Sequence, residues 1–384
     1  MNIELFNINN IDSICDGKIY NKKLELDYYK LLIKDRSKIA RNLSYDFNVL
    51  VVNDFIFPIS IAKKYHKNEN YLTSFLNQFI EYSREEVLKS QNFNFLEKII
   101  ARYFLPIVKF ILKNLNSEKI VFVNNLFLST NLYPDMFSFP INDVTEFLVS
   151  KFPNHAISYR SVNELTEIEF QKRLVKNGYK KVICRQVYMI NNDNKKYLKK
   201  RGNVQDRKLF EKSKGLFWEK VKSLNLDELK TVKKYYNDLY LKKHSKYNPD
   251  YTIYFIKKAL KFKFLDFYVL RSTINNEIKA VQAINIKNNV ITTPFIGYDQ
   301  SEPIELGLYR LMSWKLIELS LEKNYILNLS SGASNFKTQR GAIPVFDVHM
   351  FYTKHLKSKR IYLWNLLFRI SDKFIKNGMQ NHKI

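Results

Sequence analysis

Glycine and proline are scarce, with nine of each in 384 residues. A loop that cradles phosphate needs several glycines close together, so glycine-rich nucleotide loops are nearly excluded on supply. Cysteine is scarcer still. Cys15 and Cys184 lie far apart and in no metal-ligand spacing, so neither a disulfide framework nor a zinc site is expected, which fits a reducing cytoplasm. No run of about 18 apolar residues occurs, so no membrane-spanning helix is expected. The opening Met1-Asn2-Ile3-Glu4-Leu5 lacks the basic-then-apolar order of a secretory signal. These absences point to the cytoplasm, with peripheral attachment at the inner face of the membrane left open.

Apolar residues make up 46% of the chain and aromatics 15%, enough to bury a large core. The length suggests two domains. Lysine and arginine number 63 against 37 acidic residues, a net charge of +26 that favours anionic partners: nucleic acid, anionic lipid, an acidic carrier protein or a nucleotide. Lys, Asn, Ile, Tyr and Phe are enriched together, however, and an AT-rich coding bias alone produces part of that basicity.

Helical periodicity covers Tyr71–Lys89 and Phe95–Asn114. Ile120–Val123 and Leu126–Leu128 read as a strand with a break. Asn142-Asp143 opens a helix through Ser150, His155–Arg160 alternates as a strand, Glu167–Asn177 is a helix stopped by Gly178, and Lys181–Ile190 is a second long strand. The basic stretch 191–225, with Lys195-Lys196, Lys199-Lys200-Arg201 and Arg207-Lys208, reads as a linker. Asp227 caps a helix running to about His244, and Asn248-Pro249-Asp250 turns into another ending near Lys263. Three strands follow, Phe267–Thr273, Ile278–Ile286 and Val290–Tyr298, joined by Asn-rich turns. A helix over Glu305–Glu322, a strand at Ile326–Leu329, a helical turn at Asn335–Arg340 and a strand at Val345–Tyr352 complete the second half. Both halves end on strand, helix, strand, helix, strand, which suggests an internal duplication.

Three segments of the second half carry a family likeness: Ile296-Gly297-Tyr298-Asp299, Gly307-Leu308-Tyr309-Arg310-Leu311, and Leu327 to Ala342 with its Ser330-Ser331-Gly332 loop and Phe336-Lys337-Thr338-Gln339-Arg340-Gly341 turn. They resemble the Fem-like, tandem branch of the GNAT superfamily of acyltransferases. The resemblance implies an α/β (α+β) fold of tandem GNAT-like domains, each a mixed, mainly antiparallel twisted sheet flanked by helices. The expected division is an N-terminal domain over 1–190, the linker, a C-terminal acyltransferase domain over 226–353 and a basic amphipathic tail over 354–384. The activity implied is direct transfer of an acyl group to an amine, from acyl-CoA or an acyl carrier protein, with no metal. An aminoacyl-tRNA donor is the alternative within the same fold. A non-catalytic module binding nucleic acid or membrane is the alternative outside it.

Where a GNAT enzyme grips pyrophosphate, this chain reads Gln300-Ser301-Glu302-Pro303-Ile304-Glu305-Leu306-Gly307-Leu308. Two carboxylates and a proline oppose anion binding at a helix N-terminus, which leaves Ser301, Gly307 and Leu308 as the donor-side candidates. Lys337 and Arg340 lie three apart, so one helical turn puts both on one face, where Lys337 can hold an oxyanion and Arg340 a substrate anion. Solvated charge is the ordinary fate of both types. Ser330, Ser331 and Gly332 can hydrogen-bond substrate or cap the next turn. Asp299 can take the amine proton and Tyr298 can protonate a leaving group, or Asp299 can simply close a turn. Cys184 belongs to a buried-strand pattern and reads as a small hydrophobe, and His349, in the last strand, reads as a satisfied or surface histidine. The tail to Lys376 mixes Trp364, Phe368 and Ile370 with Lys359 and Arg369, which suits either an anionic membrane or docking on the protein's own core. An amine-bearing small molecule or a lipid-linked envelope intermediate is the expected acceptor.

Overall fold

The computed structural model describes residues 2–14, 23–91 and 93–371, and statements about structure concern these. In chain order the elements are β1 (Ile3–Phe6), α1 (Lys23–Lys34), α2 (Arg36–Ile39), β2 (Asp46–Val52), β3 (Phe55–Ala62), α3 (Ser83–Lys89), α4 (Phe95–Ile99), α5 (Leu105–Asn114), β4 (Ile120–Val123), α6 (Ile141–Lys151), β5 (Ala156–Asn163), α7 (Ile168–Lys176) and β6 (Lys180–Ile190). The second half adds α8 (Arg201–Lys212), β7 (Leu216–Val221), α9 (Leu226–Tyr236), α10 (Ile253–Lys261), β8 (Asp266–Ser272), β9 (Ile278–Lys287), β10 (Val290–Tyr298), α11 (Leu308–Glu322), β11 (Ile326–Asn328), α12 (Ser334–Thr338), β12 (Ile343–Tyr352) and α13 (Ser358–Ile370).

The chain divides into two compact units, and the division falls inside two strands. The first holds the described residues up to Arg185, the segment His244–Asp250, and those from Asp347 on; the second holds Gln186–Lys243 and Tyr251–Phe346. This corrects the expected boundaries at 190 and 353. Unit 1 orders its strands β1-β2-β3-β4-β5 and completes its edge with the far end of β12, where Asp347 to Tyr352 run antiparallel to Asn163 to Ile157. Unit 2 orders β7-β8-β9-β10-β11 and is completed by the end of β6, where Met189 and Ile190 pair with Asn328 and Leu327. In each unit the last strand of the set therefore comes from the other half of the sequence. Each also contains one parallel pair in an otherwise antiparallel set, β4–β5 in unit 1 and β10–β11 in unit 2.

The basic stretch 191–225 is not a linker. It forms α8 and β7, and β7 pairs with β8 from Leu216–Ser272 to Val221–Phe267. Its buried positions on α8 are Asn203 and Asp206, polar residues that hydrophobic periodicity does not see. Helix α9 is capped by Asn225 rather than Asp227, in a capping box with Glu228. Leu126–Leu128 does not continue β4, because Asn124 and Phe127 take left-handed φ values of 56°.

The described part of the C-terminal tail docks on unit 1. On α13, Leu363, Trp364 and Phe368 are buried in one apolar cluster with Phe75, Leu76, Phe122 and Phe351. Truncating a fully buried tryptophan such as Trp364 to alanine costs about 3–5 kcal/mol. The tail residues from Asp372 on, and Cys15, lie outside the described residues. Among the described residues no helix is long and apolar enough to cross a membrane.

Candidate active site

In unit 2, β10 and β11 pair in parallel only from Val290–Ile326 to Thr292–Asn328. Beyond that point β11 stops, while β10 slips register against β9 between Thr292 and Phe295 and continues, paired with β9, to Tyr298. A bulge of this kind bends the strand and ends pairing on one side. The two chains separate at the carboxyl ends of a parallel pair, the position where α/β folds place ligands.

The loop after β11 is the most unusual backbone in the unit. Ser330, Gly332 and Ala333 all take left-handed φ, at 59°, 77° and 49°. Non-glycine residues pay for that conformation, so the surrounding contacts must enforce it. They do. The Ser330 N–H donates to Asn328 Oδ1 at 2.8 Å, and the Ser330 carbonyl accepts from Tyr188 N–H on β6 at 3.2 Å. Ser331, Gly332 and Ala333 are exposed at the tip.

Lys337 closes this loop from beneath. Only 4% exposed, it donates from Nζ to the carbonyls of Ser330 at 3.1 Å and Ser331 at 2.8 Å, and its ammonium stands 5.5 Å from the centre of the Tyr188 ring. Lys337, Ser330 and Ser331 are thus brought together. Through these two bonds Lys337 fixes the shape of the loop at the end of the parallel strand pair.

Arg340 faces a different task. Its Nε donates to Asp206 Oδ2 at 2.5 Å, its Nη1 to the Phe336 carbonyl at 2.9 Å, and its guanidinium lies 3.3 Å from the centre of the Phe336 ring. Asp206, 1% exposed, also accepts from Arg310 Nε at 2.6 Å. One carboxylate on α8 therefore ties the start of α11 to the turn after α12. Asn203 adds a second tie, donating to the Arg340 and Tyr197 carbonyls at 2.8 Å each. The structure gives Arg340 a positioning role, not the substrate contact expected of it. Asp206 was invisible in the sequence because it sat in a stretch read as linker.

Tyr298 stands 6.3 Å from Tyr309, and Tyr309 is 5.0 Å from Phe336, centre to centre. This aromatic run leads from the end of β10 to the turn bearing Lys337. Burial raises the hydroxyl pKa of Tyr298 and pushes that of Tyr309 up to about 12, so both stay protonated as donors. Gly297 is required by a close approach, since a Cβ there would lie 2.7 Å from the backbone of Tyr235 and Tyr236 on α9.

Asp299 and Ser301 sit apart from this cluster. Asp299 Oδ1 accepts from Ser301 N–H at 3.0 Å and Oγ at 2.6 Å, and Oδ2 accepts from Tyr235 OH at 3.1 Å. Burial raises its carboxyl, but those hydrogen bonds and nearby Lys234 outweigh it and hold the group below the usual carboxylate range. A turn-closing carboxylate that acidic is a poor base for an amine. Gly307 is left-handed at φ 64° and opens α11, and Leu308 is buried in an apolar cluster with Leu270 and Leu311. Leu308 is a packing residue.

The Gln300–Gly307 loop carries features that oppose a nucleotide pyrophosphate. The Leu306 and Gly307 N–H groups are spent on the carbonyls of Pro303 and Ile304, each at 3.0 Å, and Pro303 has none to give. Glu302 pairs with Lys279 at 2.8 Å, and Glu305 remains exposed. Two donors of the loop are thus taken and negative charge is already present.

The other sequence candidates lie in unit 1, His349 in its core and Cys184 half-buried. His349 is fully buried, accepts from Ser161 N–H at its Nδ1 and therefore donates from Nε2 to Gln78 Oε1 at 2.9 Å. Burial and nearby Arg160 and Arg185 push its pKa well below the ordinary histidine value. Cys184 donates to the Asp347 carbonyl, and burial pushes its thiol up to about 12. Among the described residues no group of His, Cys, Asp or Glu could hold a metal.

No known family model matches the sequence, and no curated protein is similar to it in sequence. Solved structures are. FemX matches 95% of this chain and 99% of its own at a TM-score of 0.50 and 7% identity. The L-PGS structure from Bacillus licheniformis matches 66% of this chain and 82% of its own at 0.45 and 13% identity. A tandem GNAT protein from the clavulanic acid biosynthesis pathway matches 91% and 98% at 0.39 and 6% identity. The chain has a tandem GNAT-like fold. Each unit carries one parallel strand pair, β4–β5 and β10–β11.

Proposed function

We propose that unit 2 is an N-acyltransferase centre that moves an acyl group directly from an activated donor to an amine. The observation that carries this reading is the buried Lys337 ammonium, held by two loop carbonyls where β10 and β11 part. The amine nitrogen attacks the donor carbonyl carbon, and Lys337 Nζ holds the oxygen as it gains charge. The carbon–oxygen or carbon–sulfur bond to the carrier then breaks. Tyr298, protonated and half-buried, can give its proton to the leaving group, while the attacking amine loses one to solvent. The reading needs neither a covalent enzyme intermediate nor a metal.

The carrier follows from two features of unit 2. The Gln300–Gly307 loop offers little to a coenzyme A pyrophosphate, which disfavours acyl-CoA in the usual pose and leaves an acyl carrier protein or an aminoacyl-tRNA. Exposed Lys195, Lys196, Lys199, Lys200, Arg201, Lys208 and Lys212 line one continuous stretch of the same unit. Such a stretch suits a phosphate backbone and favours aminoacyl-tRNA as the second reading, with affinity that falls steeply with salt. The acceptor remains an amine-bearing small molecule or lipid-linked envelope intermediate. Incubation with labelled aminoacyl-tRNA, acyl carrier protein and acyl-CoA, each with an amine mixture, tests this. Label transfer from one macromolecular carrier is expected. Efficient transfer from acyl-CoA alone contradicts the carrier assignment, and no transfer from any donor contradicts the activity.

A further inference from the structure

In unit 1 the connection between β3 and β4 departs from its counterpart in unit 2. Strands β9 and β10 are joined by the tight Asn288-Asn289 turn, both residues left-handed. Strands β3 and β4, also antiparallel neighbours, are joined instead by the long helical insertion holding α3, α4 and α5. From Phe95 to Asn114 that insertion is one continuous helix, π-wound over Ile100–Phe104. The π turn precedes Pro106, which has no N–H to give the ladder.

One side of this helix is anchored. Ala101 and Leu112 are buried, Leu112 joins the cluster around Trp364, and Leu105 and Val108 pack against it. Among the described residues nothing covers the other side. Phe95, Leu96, Ile99, Ile100, Tyr103, Phe104, Ile107, Phe110 and Ile111 are all exposed, with Phe95 at 80%, Phe110 at 66% and Tyr103 at 64%. They recur in step with the helix over a length of about 25 Å. Scattered surface apolars are ordinary, but a contiguous face of this size on a soluble surface is an interaction site.

Charge identifies what fits it. Between Phe95 and Asn114 the sole acidic residue is Glu97, already spent in the capping box with Asn94, whereas Lys98, Arg102, Lys109 and Lys113 are basic. Helix α13, packed on the same apolar cluster, repeats the pattern. Tyr362, Leu366 and Ile370 are exposed beside Lys359 and Arg369, with no acidic residue from Ser358 to Ser371. Aromatic and aliphatic side chains at the centre with Lys and Arg alongside are the composition of a helix lying in a bilayer interface. An acidic protein partner would match the charge but not nine solvent-facing apolar side chains on a single helix.

We propose that the Phe95–Ile111 face seats unit 1 on an anionic phospholipid surface, the apolar side chains entering the acyl boundary and the basic residues meeting the headgroups. The proposal is independent of the acyl-transfer reading. The test is co-sedimentation of the full chain with vesicles of phosphatidylcholine alone and of phosphatidylcholine mixed with phosphatidylglycerol. Binding to the anionic vesicles is expected, weakened by salt. A triple variant, Phe95→Ser, Tyr103→Ser and Phe110→Ser, alters exposed positions only and should keep the native circular dichroism spectrum while losing roughly tenfold or more in vesicle affinity. Replacing Lys98, Arg102 and Lys113 by Gln should remove the preference for anionic over neutral vesicles. Absence of vesicle binding, or binding that the triple variant leaves unchanged, overturns the proposal. So does a concentration-dependent dimer that the triple variant dissolves and that shows no affinity for lipid, since the face would then belong to a second copy of the chain.

Discussion

The two units use one element order for opposite ends. In unit 1 the loop after the second parallel strand is closed on itself: Asn163 Oδ1 accepts from Leu165 and Thr166, and Asn163 O from Glu167. Its acidic residues are Glu164, paired with Lys181, and Glu167, a carboxyl that burial pushes up to about 8 and so keeps neutral over most of the physiological range. In unit 2 the equivalent loop is exposed at its tip, left-handed at Ser330, Gly332 and Ala333, and underlain by the Lys337 ammonium. The first loop is capped by its own asparagine over a neutral acid. A strained loop held over a buried cation is where chemistry is to be sought.

The sharpest way to break the comparison is Asp206→Ala. It leaves Arg340 buried and Arg310 half-buried without their shared carboxylate, and stability should fall by about 3–5 kcal/mol, read as a drop in the denaturation midpoint. A loss below 1 kcal/mol would mean that the turn bearing Lys337 is not held by charge. Gly297→Ala comes next. Its new methyl meets α9 backbone, which has little room to yield, so a loss of about 1–3 kcal/mol is expected in the same measurement.

The smallest effect concerns Glu167 and pH. Its folded pKa lies above its unfolded value, so the folded state holds the proton more tightly. Stability contributed by the neutral acid is full below the unfolded pKa and is lost as pH rises toward about 8. Glu167→Gln should flatten that part of the stability-against-pH profile and raise the melting temperature at alkaline pH. An unchanged slope would place the titration elsewhere.

Much of unit 2 was readable from residues alone. Asn275-Asn276 and Asn288-Asn289 punctuate β8, β9 and β10, and the Leu327–Ala342 segment carried the family likeness that the fold bears out. What was missed has physical causes. Phe55–Ala62 is buried along nearly its whole length, so it shows no alternation to mark it as a strand. Helix α8 hides behind a buried face of Asn203 and Asp206. The exchange of β6 and β12 between the units is a non-local pairing, and no local pattern encodes which sheet a strand will join. For Asp299 a base and a turn-closing role both stayed open, because sequence cannot show that Ser301 and Tyr235 already hold both its oxygens.

The account turns on which loop does chemistry, and one paired measurement decides it. Acyl transfer from the productive carrier would be followed under single turnover for Lys337→Ala and Glu167→Gln, each checked for native fold. Lys337→Ala should lose on the order of 100-fold or more in rate while Glu167→Gln keeps the wild-type rate. The reverse pattern, or equal rates in both variants, would move the active centre out of unit 2.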